Sequence, residues 1–442
     1  MKYKLLLLMI TLTNCEKDIA ASEEKDIVLK RAISEASPTF NYQYYILPND
    51  SDLESIPQDV RNKLTPDKVS LGALLFYETG FALSSKKNSG KDTYSCSSCH
   101  IPEVGFRANQ PQGIADGGLG YGSNGNRRVR SQDYDEDELD AQSARPLSLV
   151  NVAYVTNTFW NGSFEGDGAN QETVDIWDLQ EDTERNRLGY DCIETVNFEG
   201  LFTHRIRIDS VSVSELGYKE AFDNVFVDFQ DVERYSNFTG SLALSAYIRT
   251  IISTEAPFQY WLNGQYDAMT SDMKDGALLF FGKAKCFSCH YEQNLGSQEF
   301  HALGARDMYQ RPSFNTSQSD ARNSGRGGFT RLEEDNFKFK VPGLYNVGDS
   351  PFYFHGACKN TLDDVIDYKL KAISENSKVA QEDISSKFLP RTLTLREKEQ
   401  LIMFIKEGLR DPDLLRFKPT KVVSGSCFPN ADELSIYVLG CN

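Results

Sequence analysis

Two short stretches carry the chemistry of this chain. Tyr94-Ser95-Cys96-Ser97-Ser98-Cys99-His100 and Lys285-Cys286-Phe287-Ser288-Cys289-His290 each contain C-x-x-C-H, the attachment signature of c-type haem. The two thiols add across the vinyl groups of a porphyrin, and the adjoining imidazole reaches the iron from the proximal side. A closed zinc site needs four ligands, and each stretch brings three. Cys96, Cys99, Cys286 and Cys289 are therefore read as haem attachment points. His100 and His290 are read as iron ligands, and the cofactor as two covalent haem c groups.

The surroundings of the two motifs rhyme. Leu71-Gly72-Ala73-Leu74-Leu75-Phe76 precedes the first and Asp275-Gly276-Ala277-Leu278-Leu279-Phe280 the second. Each G-A-L-L-F spaces its apolar residues as a helix does, so the chain repeats a haem-binding unit rather than a short solenoid motif. Further helices are expected over 241–253 and 393–409, where Leu395, Leu401, Ile402, Phe404, Ile405 and Leu409 approximate one apolar stripe. Strand signals are weak, and Gly, Asn and Asp crowd residues 110–140, 161–170 and 318–328, which read as long loops. The expected fold is mainly α, with two haem domains over 53–258 and 259–412 and a C-terminal appendage over 413–442.

The N-terminus reads as an address. A basic start, an apolar run from Leu5 to Leu12 and then Thr13-Asn14-Cys15 form an export signal. That run is too short to span a bilayer. Leu12-Thr13-Asn14-Cys15 resembles a lipobox, so residues 1–15 are expected to be a lipoprotein signal with the lipid on Cys15. Residues 16–52 look like a polar tether. The expected location is the periplasm or outer membrane of a Gram-negative bacterium, where disulfides persist. Of nine Cys, the lipid and the haems take five. Cys427 and Cys441 bracket a short C-terminal loop and are the expected bridge, which leaves Cys192 and Cys358 to pair by elimination. The net charge of −17 argues against nucleic acid, whose phosphates demand basic surface. It suits an acidic face for a basic partner such as a small cytochrome, or simply a solubilising surface.

Beyond the haem motifs, the chain resembles the bacterial di-haem cytochrome c peroxidase family, MauG-like enzymes included, over roughly residues 55–412. Leu149-Val150-Asn151-Val152 and Phe159-Trp160-Asn161-Gly162 are similar to the family's "LLNV" and "FWDG". Phe300-His301-x-Leu303-Gly304, Phe339-Lys340-Val341-Pro342, Tyr353-Phe354-His355 and Thr361-Leu362-x-x-Val365 follow the second motif as the family's segments do. The resemblance implies two helical, cytochrome-c-like domains. The first haem, at His100, would meet hydrogen peroxide, and the second, at His290, would receive electrons from a small donor protein. Trp160 would relay between them, although without the resemblance such a Trp reads first as a core residue.

The chain also departs from that pattern. None of its five His lies between His100 and Trp160, so the family's distal His over the first haem is missing and a five-coordinate iron is expected. The family's distal Gln and Glu, which move a proton during peroxide cleavage, align by a gapped fit with Asn197 and Arg207. An insertion near 165–190 precedes them. Arg207 cannot accept a proton at neutral pH, which leaves Glu199 and His204 as candidates. The distal ligand of the second haem, Met or Tyr in the family, falls on Lys369 or on Tyr368 one residue earlier; the Tyr is preferred. Carbonyls of Ser350 and Phe352 match a family calcium site, with Arg145 where the family has an Asn ligand. Peroxide reduction is the leading expectation. The alternatives are a MauG-like oxidase of a protein substrate and a non-enzymatic two-haem electron carrier.

Overall fold

The structure, a computed structural model, describes residues 23–165, 168, 170–179 and 183–441; the export signal and Cys15 lie outside them. The helices that position the haem motifs and their borders are α1 (residues 23–36), α2 (Pro66–Tyr77), α3 (Cys192–Thr203), α4 (Asn237–Arg249), α5 (Ser271–Phe280), α6 (Leu362–Lys371), α7 (Leu395–Met403) and α8 (Glu433–Leu439). Short 3-10 turns and long loops join them. Two small antiparallel ladders stiffen the loops: β1 (Gly118–Leu119) with β2 (Val129–Arg130), and β3 (Phe300–Ala302) with β4 (Lys338–Lys340).

The repeated G-A-L-L-F has a steric reason. The hydroxyls of Thr65 and Thr270 cap α2 and α5 by accepting from the Lys68 and Met273 amides. Each helix then crosses a later one at its glycine. A Cβ on Gly72 would stand 1.9 Å from the Ala243 carbonyl oxygen of α4 and 2.8 Å from Tyr247 Cβ. A Cβ on Gly276 would stand 2.0 Å from the Gln400 carbonyl oxygen of α7 and 2.8 Å from Phe404 Cβ. Both crossings bring backbone against backbone, so the repeat preserves a contact as well as a pattern. Gly276→Ala should destabilise the holo-protein by about 3 kcal/mol or more through overpacking, read by denaturant titration. Gly200→Ala in α3, where a Cβ meets nothing within 4 Å, should be neutral or stabilising by up to about 1 kcal/mol. Equal effects at the two sites would refute the crossing argument.

Residues 23–52 are not a tether. In α1, Leu29 and Ile33 are fully buried, and Asp26 accepts from Trp261 Nε1 (2.7 Å) and pairs with Lys274 Nζ (2.8 Å). Tyr45 is buried too, and Gln259 Nε2 donates to its carbonyl at 2.9 Å. The buried stripe of α1 is only one residue wide per turn in a segment rich in Lys and Glu, which hides its period.

The chain after residue 412 is equally integrated. Cys427 and Cys441 are bridged, with Cα atoms 5.6 Å apart. The loop between them lies against the first haem motif: Ser95 and Ser98 hydroxyls donate to the Pro429 carbonyl at 2.9 and 3.2 Å. The Asp432 carboxylate caps α8 through the Ser435 amide and also accepts from the Gly120 amide at 2.9 Å. Cys192 and Cys358 are not paired. Cys192 is buried with its Sγ 3.0 Å from the Val155 carbonyl, and both thiols are free. One apolar core runs from α1 through both repeats to Leu414 and Val422. Among the described residues no helix is long and apolar enough to cross a membrane.

Candidate haem sites and the residues between them

The two C-x-x-C-H stretches adopt the same local structure. Cys96–Ser98 and Cys286–Ser288 each form a 3-10 turn, and the His100 and His290 amides donate to the Cys96 and Cys286 carbonyls, both at 3.0 Å. The imidazoles are anchored alike. Nδ1 of His100 lies 3.1 Å from the Phe106 carbonyl and Nδ1 of His290 lies 2.8 Å from the Leu295 carbonyl. A carbonyl only accepts, so Nδ1 carries the proton and Nε2 presents its lone pair, the arrangement a metal-ligating His requires. Burial pushes both imidazoles down to about 4, so both are neutral at pH 7.

Beside the second motif lies a cavity of about 220 Å³ whose walls include Cys286, Cys289 and His290. Helix α6 lines it with Leu362, Val365, Ile366, Lys369 and Leu370, a spacing of three and four that marks one helix face. Neutral imidazole, two thiols and a mostly apolar enclosure fit a covalent haem. Tyr368, preferred on sequence as the distal ligand, turns elsewhere. Its hydroxyl donates to the Leu303 carbonyl at 2.6 Å, and its ring packs on Phe354 and Phe388. One residue turns a helix by about 100°, and that turn separates Tyr368 from the cavity face that Lys369 occupies.

Trp160 stands between the repeats. Its Nε1 donates to the Arg145 carbonyl at 2.8 Å, its own carbonyl accepts from the Lys340 amide of β4 at 2.9 Å, and its indole lines the second cavity. The His355 ring is 6.3 Å away and stacks on Phe339 at 3.6 Å. Lys340 reaches into the same junction, where burial lowers its ammonium to about 8 and Gln298 Oε1 accepts from it at 2.8 Å.

The calcium expectation fails on charge. At Ser350 and Phe352 stands the buried guanidinium of Arg145. It donates to the carbonyls of Ala108 (2.9 Å) and Gln110 (2.7 Å) and to Ser350 Oγ (3.1 Å). Ser350 Oγ in turn donates to the Phe352 carbonyl at 2.7 Å. A fixed cation thus stands against Ser350 Oγ, which itself occupies the Phe352 carbonyl, and a divalent ion beside it would be repelled. The residues do not fit calcium.

The distal segment is α3 and the turn after it. Asn197 points into the helix packing, its amide donating to Ser245 Oγ of α4 and to the Ile193 carbonyl, both at 2.9 Å. Arg207 is exposed and pairs with Asp209 at 3.1 Å. The gapped fit of these two to the family's Gln and Glu therefore does not make a distal pair. Glu199 is held by Arg185 of the inserted segment (3.3 Å) and by the Thr203 hydroxyl (2.9 Å). His204, at the end of α3, has Nδ1 2.7 Å from Asp140 Oδ2, and Tyr94 Oη donates to its carbonyl at 3.0 Å. Burial works to lower the His204 imidazole, but the Asp140 carboxylate outweighs it and the net shift is upward. His204 is near enough to the first haem motif that its charge helps depress His100. Asp140 was not legible in the sequence, because it sits in a long polar loop with no spacing that links it to His204.

Fold and sites together define a mainly helical protein with two C-x-x-C-H units of like local structure. The profile of the di-haem cytochrome c peroxidase family matches residues 66–267. Methylamine utilization protein MauG of Methylorubrum extorquens is 24% identical over 362 residues, 81% of this chain and 83% of the relative. Cytochrome-c peroxidase IdrP1 of Denitromonas iodatirespirans is 27% identical over 375 residues, 80% of this chain and 84% of the relative. A crystal structure of a MauG-like protein associated with microbial copper homeostasis shares the fold with a TM-score of 0.57 at 22% identity, over 84% of this chain and 95% of that one. The chain is thus similar to the di-haem cytochrome c peroxidases, a family of oxidoreductases that carries two haem c groups.

Proposed function

We propose that this chain reduces hydrogen peroxide to water, taking two electrons and two protons per peroxide, with a small cytochrome or comparable protein as donor. The observation that carries the reading is the pair of carbonyl-anchored, neutral imidazoles, His100 and His290, each beside two cysteines, with Trp160 set between the two halves. When bound, the two haems supply redox-active iron. Cys96 and Cys99, and Cys286 and Cys289, would hold them covalently, and Lys285 and Arg391, which also line the second cavity, would face the carboxylates of the second porphyrin. Trp160 supplies a conjugated ring on the path between the units. His204, oriented by Asp140, and Glu199 are the titratable groups proposed to move the proton from the near to the far oxygen of peroxide. We further propose export to the periplasm of a Gram-negative bacterium with a lipid on Cys15.

A second reading, oxidation of a side chain on a partner protein, draws on one sequence feature. No Met lies between Met308 and Met403, so the second haem lacks the ligand that raises its potential. Donor turnover separates the two: a peroxidase consumes reduced cytochrome in proportion to peroxide, and an oxidase of protein side chains does not.

The coordination of the first iron tests the peroxidase site. With no His between His100 and Trp160, the oxidised protein should show one high-spin ferric haem by EPR and should react with peroxide without prior reduction. Two low-spin signals, and reaction only after one-electron reduction, would refute it.

A further inference from the structure

We propose that the side-chain amine of Lys369 is the iron ligand opposite His290, giving the second haem His/Lys coordination; this rests on the di-haem reading above. Lys369 occupies the seventh position after Leu362 on the α6 stripe, between Val365–Ile366 and Leu370 along the same face. Those neighbours are apolar, so Lys369 is the charged residue that α6 turns into the cavity. Cys286, Cys289 and His290 line the same cavity.

The amine has no other evident use. Among the described residues, no hydrogen bond or ion pair engages Lys369, and its Nζ lies 5.7 and 5.8 Å from the Phe354 and Phe388 ring centroids. Of the other lysines lining the cavity, Lys285 belongs to the Cys286 turn, with its Nζ 5.3 Å from the Phe287 ring centroid, and two are held by polar partners. Lys387 pairs with Glu299 at 2.6 Å, and Lys340 donates to Gln298 and to the Ser297 carbonyl. A polar group buried without a partner is costly, and an amine lone pair directed at iron removes that cost. Tyr368 cannot share the role, because its hydroxyl is committed to the Leu303 carbonyl on another face of α6. The rival use of Lys369 is as a counter-ion to a porphyrin carboxylate.

The test uses the full-length holo-protein. Intact mass first establishes two covalent haems, and its failure would sink the di-haem reading rather than this inference. Near-infrared magnetic circular dichroism of the unmodified ferric protein then reports the ligand class directly and needs no variant. An amine–imidazole charge-transfer signature is expected, and a phenolate, bis-imidazole or single-imidazole signature overturns the assignment. Lys369→Met should add the red charge-transfer band of thioether-ligated ferric haem and raise the potential of the second haem. Lys369→Ala should convert the low-spin EPR signal of that haem to high spin, and Tyr368→Phe should leave every spectrum unchanged. If the Met and Ala variants keep the wild-type low-spin signal, Lys369 serves the carboxylate and the proposal is wrong.

Discussion

Replacing Cys286 and Cys289 together by Ala should leave a protein with one covalent haem and no steady-state peroxide reduction above background. The argument is chemical. Covalent haem c requires a thioether, and these two thiols flank the second cavity on the same turn that carries His290. The first unit has its own turn at Cys96–Ser98 and its own crossing at Gly72, so its haem should survive. Intact mass should fall by one haem, and the high-spin signal assigned to the first iron should persist. The remaining site would then meet peroxide with no route for electrons from a donor. A variant that keeps two haems by mass would disprove the attachment assignment. One that keeps full turnover with a single haem would disprove the division of labour.

His204→Ala should slow the reaction with peroxide by about a hundredfold or more, within the 10²–10⁴-fold that general acid–base help supplies, while both haem spectra stay as they were. Cleavage of the O–O bond leaves a poor leaving group unless the outer oxygen gains a proton. Of Asn197, Glu199, His204 and Arg207, Asn197 is spent on α4 and Arg207 on the surface. His204 is held by Asp140, whose carboxylate raises the imidazole against the pull of burial. The sign of the pH effect follows. Asp140→Asn removes the charge that favours the protonated ring, so His204 should lose its proton at lower pH, and the limb of the pH–rate profile that reports it should move down. Glu199→Gln serves as the comparison. If both His204→Ala and Glu199→Gln react at the wild-type rate, the proton moves through other groups.

The residues expected to bind haem were readable in the sequence because covalent attachment confines each set to five consecutive positions, and a local pattern is visible without any fold. The helix crossings were half readable: the G-A-L-L-F repeat stood out, but that Gly72 and Gly276 meet carbonyl oxygens of α4 and α7 needs coordinates. The register of α6 was ambiguous by one residue, and one residue is a third of a turn, enough to exchange Tyr368 for Lys369. Asp140 and His204 come from distant loops with no shared spacing. Arg145 was noticed only as a mismatch, and its role as a built-in cation at Ser350 appears when its guanidinium is followed to three acceptors.

The docking of α1 changes how far this protein could travel. A free segment over residues 16–52 would have let the folded body roam more than about 100 Å from a lipidated Cys15 at full extension. With α1 held down by Asp26 on Trp261 and Lys274, at most residues 16–22 would separate a lipid on Cys15 from the body, a reach of about 25 Å. So tethered, the molecule would search a surface rather than a volume. Because Trp261 and Lys274 flank the start of the second unit, that unit would be the one held nearest the bilayer. Its donors would be met in a thin layer along the membrane, where a modest affinity suffices for frequent encounter.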